Sequence, residues 1–304
     1  MNIAILSRSS NLYSTNSLIK AAQKRDHFVE VIDHTNCNLW SEKKRPGVLF
    51  EGERLKSIDA IIPRIGASVT AHGAAVVRQF ELMKVVTTTR SEALLEARDK
   101  FRCLQSLSAN GIDIPRTFLV GNPVELPWML EILGFPMIIK LLESTHGTGV
   151  ILAENQQNAI SIIEAFHSRK EKILLQEFIA ESSGEDIRAF VVGKEVVASM
   201  RRSAQKGEFR SNLHRGATAM PVPLTEEEEK MVLHCVKLMG LSVAGVDFLR
   251  SERGPLVLEV NVSPGLEGIE TFTKIDVAGK IIELVERKVK KAKSLRNYQN
   301  RIKR

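Results

Sequence analysis

The chain is short of cysteine, with three in 304 residues. Cys37, Cys103 and Cys235 are odd in number, widely spaced and form no C-x-x-C, so neither a disulfide framework nor a zinc knuckle can be built. They read as small core residues. No apolar run reaches even a dozen residues without a charge, a glycine or a proline, which excludes a membrane-spanning helix. The opening Ile3-Ala4-Ile5-Leu6 passes at once into polar Ser7-Arg8-Ser9-Ser10, too short an apolar stretch for a signal peptide. The expectation is a cytoplasmic protein. Internal repeats and low-complexity blocks are missing too. A G-x-x-x-x-G-K-[ST] loop is absent, which removes the P-loop NTPases, and the seven histidines include no i, i+4 pair for a metal.

What is present is ordinary for a globular protein: 43% apolar and 26% charged residues, in a length that predicts two domains at roughly 100–200 residues each. The charge is unevenly placed. From Arg287 to Arg304 there are nine Lys/Arg and no acid, and without them 34 basic residues face 36 acidic ones, a net of −2. The basicity therefore belongs to a tail, which extends the helical pattern beginning at Asp276 into a polar, frayed end. That tail reads equally well as a solvated solubility device or as an electrostatic contact for nucleic acid or an acidic protein.

The first ninety residues alternate strand and helix. Asn2–Ser7, Phe28–Asp33 and Ala60–Ile65 are apolar, β-branched runs, with helical patterns at Asn16–Asp26 and Thr70–Lys84. This spacing predicts a small, doubly wound parallel sheet. Residues 35–54 are polar and irregular and are assigned no structure. From Ser91, a plausible N-cap, one long helix is expected to run to Asn110, with Gly111 closing it. Beyond it the pattern is α+β. Short strands at Met137–Leu142, Val150–Ala153 and Ile173–Phe178 precede a hairpin, Ile187–Val192 with Glu195–Met200. A capping box at Thr225 opens a helix to Met239, and the acids in its first turn serve the helix dipole rather than a metal. A final hairpin joins Ala244–Arg250 to Leu256–Asn261.

That hairpin is the most informative feature. If its five-residue loop Ser251–Pro255 closes symmetrically about Arg253, Asp247 lies directly opposite Glu259. Like charges across strands are destabilising, and here they sit in apolar strands, so a compensating cation is called for. Asn261 shares the face of Glu259 and adds a neutral oxygen. Two carboxylates and an amide oxygen make a hard-ligand set suited to Mg2+ or Mn2+ beside phosphates. The bland alternative is an exposed strand carrying ordinary charges, which the apolar flanks disfavour.

Lys140 ends the apolar strand Pro136-Met137-Ile138-Ile139 and is costly there unless it meets an anion such as phosphate. Gly147 and Gly149 follow, but Val150-Ile151-Leu152 continues as strand, so the pattern is a mobile flap able to close over phosphates rather than a dinucleotide fingerprint. Arg201, Arg202, Arg210 and Arg215 lie close together in sequence, and guanidinium groups suit phosphate or carboxylate.

Taken in order, these pieces resemble an ATP-grasp ligase, and more narrowly the RimK family of ribosomal-protein glutamate ligases. The resemblance is carried by Ile61-Ile62-Pro63-Arg64-Ile65-Gly66, Ala97-Arg98-Asp99-Lys100, Ile139-Lys140-Leu141, Gln176-Glu177-Phe178-Ile179, Asp186-Ile187-Arg188, the run Phe209–Gly216, Gly245-Val246-Asp247 and the run Glu259–Glu270. It covers residues 1 to about 285 and leaves the basic tail outside. Ser144 and His146 stand where the family usually has a glycine and a glutamine.

The resemblance implies an ATP-grasp fold preceded by a small doubly wound N-terminal domain: residues 1–95, then a two-lobed module over 96–287 with its hinge near 176–180, then the tail 288–304. It implies that Lys140 contacts ATP phosphates, that the Glu177-Phe178 backbone holds the adenine edge, that Asp186 takes the ribose region, and that Arg210, Ser211 and Asn212 line the nucleotide site. Asp247, Glu259 and Asn261 would ligate two Mg2+ or Mn2+ ions, and Arg202 and Arg215 would hold the acceptor carboxylate and the oxyanion. The implied reaction phosphorylates a carboxylate with ATP and lets the amine of L-glutamate attack the acyl phosphate. The implied acceptor is the C-terminus of a ribosomal protein, with the tail as a ribosome contact and a homo-oligomer as the assembly. Two other readings stay open: the same ligation on a small or peptide acceptor, including short poly-α-glutamate, and a non-catalytic RNA- or ribosome-binding module with a regulatory nucleotide site.

Overall fold

The computed structural model describes residues 1–142, 149–182, 184–205, 207–213 and 216–302, with side chains through 299. The chain starts with β1 (Asn2–Leu6), α1 (Tyr13–Gln23) and β2 (Phe28–Ile32). The short strands β3 (Asn38–Trp40), β4 (Gly47–Phe50) and β5 (Glu53–Arg54) come next, then β6 (Ala60–Pro63), α2 (Thr70–Leu82) and β7 (Val86–Thr87). As the strand–helix–strand spacing predicts, β2-β1-β6-β7 form a parallel sheet.

Residues 35–54 depart from expectation. Instead of an irregular loop they hold a small antiparallel sheet, β3-β4-β5. The buried amide of Gln79 on α2 pins it, donating to the carbonyls of Trp40 at 2.6 Å and Gly47 at 3.0 Å. Trp40 lies flat over Gly47, where a Cβ would come within 2.3 Å of the indole, so the close approach requires glycine.

The single helix expected from Ser91 is two helices, α3 (Ser91–Arg98) and α4 (Lys100–Ala109). Asp99 is extended between them and caps the second, accepting from the N–H groups of Phe101 and Arg102 at 3.1 and 3.0 Å. Ser91 does not cap; its hydroxyl donates to Glu81 at 2.7 Å.

A small lobe follows: β8 (Thr117–Leu119), α5 (Leu126–Leu133), β9 (Met137–Leu141), β10 (Val150–Ala153), α6 (Gln156–His167) and β11 (Ile173–Glu177), with sheet order β10-β9-β11-β8. The large lobe comprises β12 (Glu185–Val192), β13 (Glu195–Ser203), β14 (Thr218–Pro221), α7 (Glu226–Leu238), β15 (Val243–Ser251), β16 (Gly254–Asn261), α8 (Leu266–Thr273) and α9 (Val277–Ile302). Its five strands run β14-β13-β12-β15-β16, all antiparallel. The capping box at Thr225 and Glu228 is present, and Glu228 also pairs with Arg250 at 2.6 Å.

The tail is not frayed where fraying was expected: α9 continues to Ile302. Apolar contact and backbone acceptors hold it. Val289 is buried, Lys288 Nζ donates to Thr87 O and Ser242 Oγ, Lys293 pairs with Asp59, and Arg296 donates to Lys84 O. Among the described residues no helix is long and apolar enough to cross a membrane.

The cores divide unevenly. Two clusters mix residues of the N-terminal sheet with residues of the large lobe: Leu6, Ile61 and Phe80 pack with Ile187, Val246 and Phe248, and Ile3, Ile5 and Leu18 with Phe190, Val243 and Ile281. The small lobe keeps its own cluster, Leu130, Met137, Ile139, Ile163 and Leu175 among its members. The three cysteines are buried, and burial raises Cys103 and Cys235 to about 12, which suits inert core residues.

Candidate active site

The final hairpin pairs Asp247 with Glu259, as its sequence predicts, but by a different route. The turn is two residues, Glu252-Arg253, and the strands leave it in the register Ser251↔Gly254 to Phe248↔Val257. A bulge at Leu258 then shifts β16 by one, restoring Asp247↔Glu259, Val246↔Val260 and Gly245↔Asn261. Bulges re-aim side chains, and this one puts Glu259 and Asn261 on the face that Asp247 uses. Asn261 Nδ2 lies 2.9 Å from Glu259 Oε1 and 3.4 Å from Asp247 Oδ2.

The cation that the paired carboxylates require is already supplied on one side. Arg188, opposite Asp247 on β12, donates to both its oxygens at 2.7 and 2.5 Å. Arg202 on β13 forks onto Asp186 at 2.6 and 2.6 Å and reaches Asp247 at 2.9 Å. Burial works against charge on Asp247, and the two arginines more than reverse it, holding the carboxyl at about 2. Burial likewise disfavours charge on Arg202, and Asp247 and Asp186 outweigh it, raising its pKa. Asp186, Arg202 and Asp247 therefore form one buried ionic unit. Each oxygen of Asp186 accepts one bond from Arg202, so a ribose would meet a carboxylate already held by a guanidinium. Arg202 is 4% exposed and is occupied by carboxylates of the protein itself.

Glu259 is different: its Oε2 makes no hydrogen bond or ion pair among the described residues. Cations approach it from three elements. Lys140 is the penultimate residue of β9, Lys100 opens α4 and Arg98 closes α3, and Glu259 favours the charge on each. Burial pulls Lys140 down to about 8, with repulsion from Lys100 adding to it. Lys100 Nζ also donates to Leu141 O at 2.9 Å, tying α4 to the small lobe. Arg98, Lys100 and Arg188 carry no role in the sequence reading. The break at Asp99 turns Arg98 and Lys100 toward one carboxylate, and the sequence hides it inside an unbroken helical pattern.

Elsewhere the expected residues scatter. Glu177 ends β11, its N–H donating to Arg116 O and its carboxylate accepting from Arg116 N and Arg253 at 2.8 and 2.5 Å. Phe178, beside it, has a backbone N–H and C=O without hydrogen bonds among the described residues. Arg210 is held by Glu208 and donates to Val150 O at 3.2 Å, bringing the loop that carries Ser211 and Asn212 to the base of the flap. Ser211 is buried. Arg215, His214 and the flap positions Ser144 and His146 lie outside the described residues.

Two family models together cover nearly the whole chain: the RimK PreATP-grasp domain matches residues 1–94 and the RimK-like ATP-grasp domain residues 97–285. The chain belongs to the RimK family of ATP-grasp ligases. Curated relatives include a probable alpha-L-glutamate ligase 1 of Shewanella frigidimarina, 52% identical over 97% of this chain and 98% of that protein. A probable alpha-L-glutamate ligase of Aliivibrio fischeri is 53% identical over 94% and 96%. Solved structures share the fold. The ATP-grasp ligase PsnB with a minimal precursor, Mg and ADP superposes with a TM-score of 0.74 at 17% identity, covering 95% of this chain and 98% of that one. D-alanine–D-alanine ligase from Bacillus anthracis superposes at 0.70 and 18% identity, over 97% and 99%.

ATP-grasp ligases use ATP with a divalent ion, and the donor set of this RimK-family site fits one. Among the described residues Glu259 Oε2 is unpartnered, Asn261 brings an amide beside it whose oxygen serves as a ligand once the amide is flipped, and Asp247 Oδ1 accepts a single bond and keeps a lone pair. Among the described residues no group of three or more His, Cys, Asp or Glu could hold a metal. The remaining ligands must come from outside the side chains, as phosphate oxygens and waters do for Mg2+.

Proposed function

We propose that this RimK-family ligase joins L-glutamate through its amine to a carboxylate activated by ATP, the acceptor being the C-terminus of a ribosomal protein. The observation that carries the reading is the unpartnered oxygen of Glu259 among Lys140, Lys100 and Arg98, at the seam of three modules in a chain about half identical to proteins named probable alpha-L-glutamate ligases. A carboxylate is a poor electrophile. Transfer of the γ-phosphoryl group to one of its oxygens, with loss of ADP, turns that oxygen into a leaving group. The amine of glutamate then adds to the carbonyl carbon, loses a proton and expels phosphate.

Each protein group has a part in this reading. Lys140 and Lys100 neutralise phosphate oxygens. The free N–H and C=O of Phe178 take the adenine edge, and Ser211 and Asn212 flank the nucleotide. Divalent ions held by Glu259, Asn261 and Asp247 would supply charge neutralisation and alignment for in-line transfer. Arg202 contributes by fixing Asp186 and Asp247 rather than by seizing substrate. Arg215 is the candidate for the oxyanion.

The test is mass spectrometry of reactions holding ATP, Mg2+ and glutamate, with and without a ribosomal-protein fraction, alongside ADP release. Glutamyl increments on one ribosomal protein are expected. Free glutamate oligomers would replace that acceptor, and no ADP under either condition would overturn glutamate ligation.

A further inference from the structure

Arginines gather at one end of the parallel sheet, where the acids that act on them are Asp33 near Arg8 and Glu259 near Arg98. The strand order reverses at β1: the chain goes from β1 to β2 on one side and later adds β6 on the other. Doubly wound sheets take ligands in the crevice beyond the carboxyl ends of the strands at such a reversal. Arg64 follows β6 directly, and its N–H donates to Leu6 O at 2.9 Å, which fixes it at the mouth of that crevice. Arg8 enters from the end of β1, its Nη2 lying 3.5 Å from where a side chain on Gly66 would begin.

The large lobe closes the other wall. Arg64 Nη2 donates to Pro264 O at 2.8 Å, and Arg98 Nη2 donates to Ile65 O at 2.7 Å. Each of these guanidiniums spends one N–H on a backbone carbonyl, and among the described residues neither they nor Arg8 have a carboxylate within 4.0 Å. Two buried polar atoms complete the picture. Among the described residues Arg98 Nε has no partner, and neither does Ser263 Oγ, next in sequence to the carbonyl that Arg64 binds. Burial lowers Arg64 to about 10 with added repulsion from Arg98, and burial lowers Arg98 as well. Desolvated cations that repel one another and leave donors unspent are costly unless an anion arrives to use them. Lys140, on β9, and Arg98, on α3, approach Glu259 from different modules.

We propose that Arg8, Arg64, Arg98 and Ser263 form a carboxylate-binding subsite that holds an acidic substrate against the N-terminal side of Glu259. It rests on the ligase reading above. Planar guanidiniums pair with carboxylates through two parallel bonds, which gives orientation as well as charge. The carboxylate could belong to free glutamate or to the acidic end of the acceptor, and the chemistry of recognition is the same.

The experiment is steady-state ADP release by the full-length enzyme, varying L-glutamate, acceptor and ATP in turn, for Arg8→Ala, Arg64→Lys and Arg98→Lys. Arg8 is exposed, so Arg8→Ala tests the subsite even where a buried variant fails to fold. The expected result is a KM raised about tenfold or more for one carboxylate substrate, the loss typical of a charge-assisted bond, with the KM for ATP unmoved. A rise for glutamate places glutamate there, and a rise for the acceptor places its acidic end there. Unchanged KM values, or equal rises for ATP, overturn the subsite. If the wild type shows no glutamate-dependent ADP release, the ligase reading falls instead. The subsite is then decided by thermal shift with L-glutamate, where equal midpoint shifts for wild type and Arg8→Ala, or none for either, overturn it.

Discussion

Arg202 Nη2 stands 2.9 Å from Asp247 Oδ2 while the same guanidinium forks onto Asp186, so one buried arginine binds carboxylates from two neighbouring strands. Among the described residues, removing it leaves Asp186 without a hydrogen-bond partner and Asp247 with Arg188 as its one paired cation. Arg202→Ala should lower the unfolding free energy by about 3–5 kcal/mol, read by denaturant titration. Arg202→Lys keeps the charge but not the fork and should recover only part of the loss.

Glu259 and Asp247 should separate chemistry from stability. Glu259→Gln removes the carboxylate that Lys140, Lys100 and Arg98 face, so ADP release should fall about a hundredfold or more, while circular dichroism stays near wild type and melting falls less than for Asp247→Asn. Asp247→Asn should lose activity and also melt early, because it takes the charged partner from Arg188 and leaves Arg202 with Asp186 alone. Normal ADP release by Glu259→Gln would sink the metal assignment.

Lys288 gives a pH signature. Burial, with Arg90 repelling it, lowers its ammonium to about 8, below the value near 10.4 of an unfolded lysine. The unfolded chain therefore binds more protons between those values, and this group's contribution makes stability rise as pH goes from about 8 to 10.4. Lys288→Met should be more stable than wild type at pH 7, by about 3 kcal/mol at most, and the difference should vanish by pH 10.5 in paired thermal melts.

The basic helix needs a gentler test than deletion. Ending the chain at Glu286 removes buried Val289 and the bonds of Lys288, so that truncation should lower the melting temperature whatever its effect on substrates. Reversing the exposed charges of Arg287, Lys290 and Lys291 to Glu should leave melting unchanged. If the helix recruits an anionic partner, the KM for the acceptor should rise several-fold at low salt and converge with wild type as salt screens both.

Asp99→Ala should cost about 1 kcal/mol by unmaking the cap of α4. Because Lys100 is the next residue, the KM for ATP should rise as well, which an ordinary surface cap would not cause.

How much of this was readable from residues alone depends on the range of the interaction involved. The parallel sheet was legible because each strand is a short apolar run and each helix keeps its own period. Asp247 opposite Glu259 was legible for the wrong reason: a five-residue loop and a two-residue turn with a bulge at Leu258 give the same pairing, and composition cannot distinguish them. The strands β3 to β5 were hidden because Gln79, forty residues away, supplies the bonds that order them. The break at Asp99 was hidden because Ser91–Asn110 keeps its helical pattern straight through it. Arg188 was invisible as a partner of Asp247, since nothing in one strand announces what lies across from it.

The small lobe's private core has a calorimetric consequence. Its described links to the rest of the molecule at the cleft are polar: Lys100 to Leu141 O, Arg210 to Val150 O, and Arg253 to Glu177. Parting the lobes would break these polar links, and their share of the transition should carry little heat-capacity change. The balance between open and closed forms would then shift with ionic strength far more than with temperature.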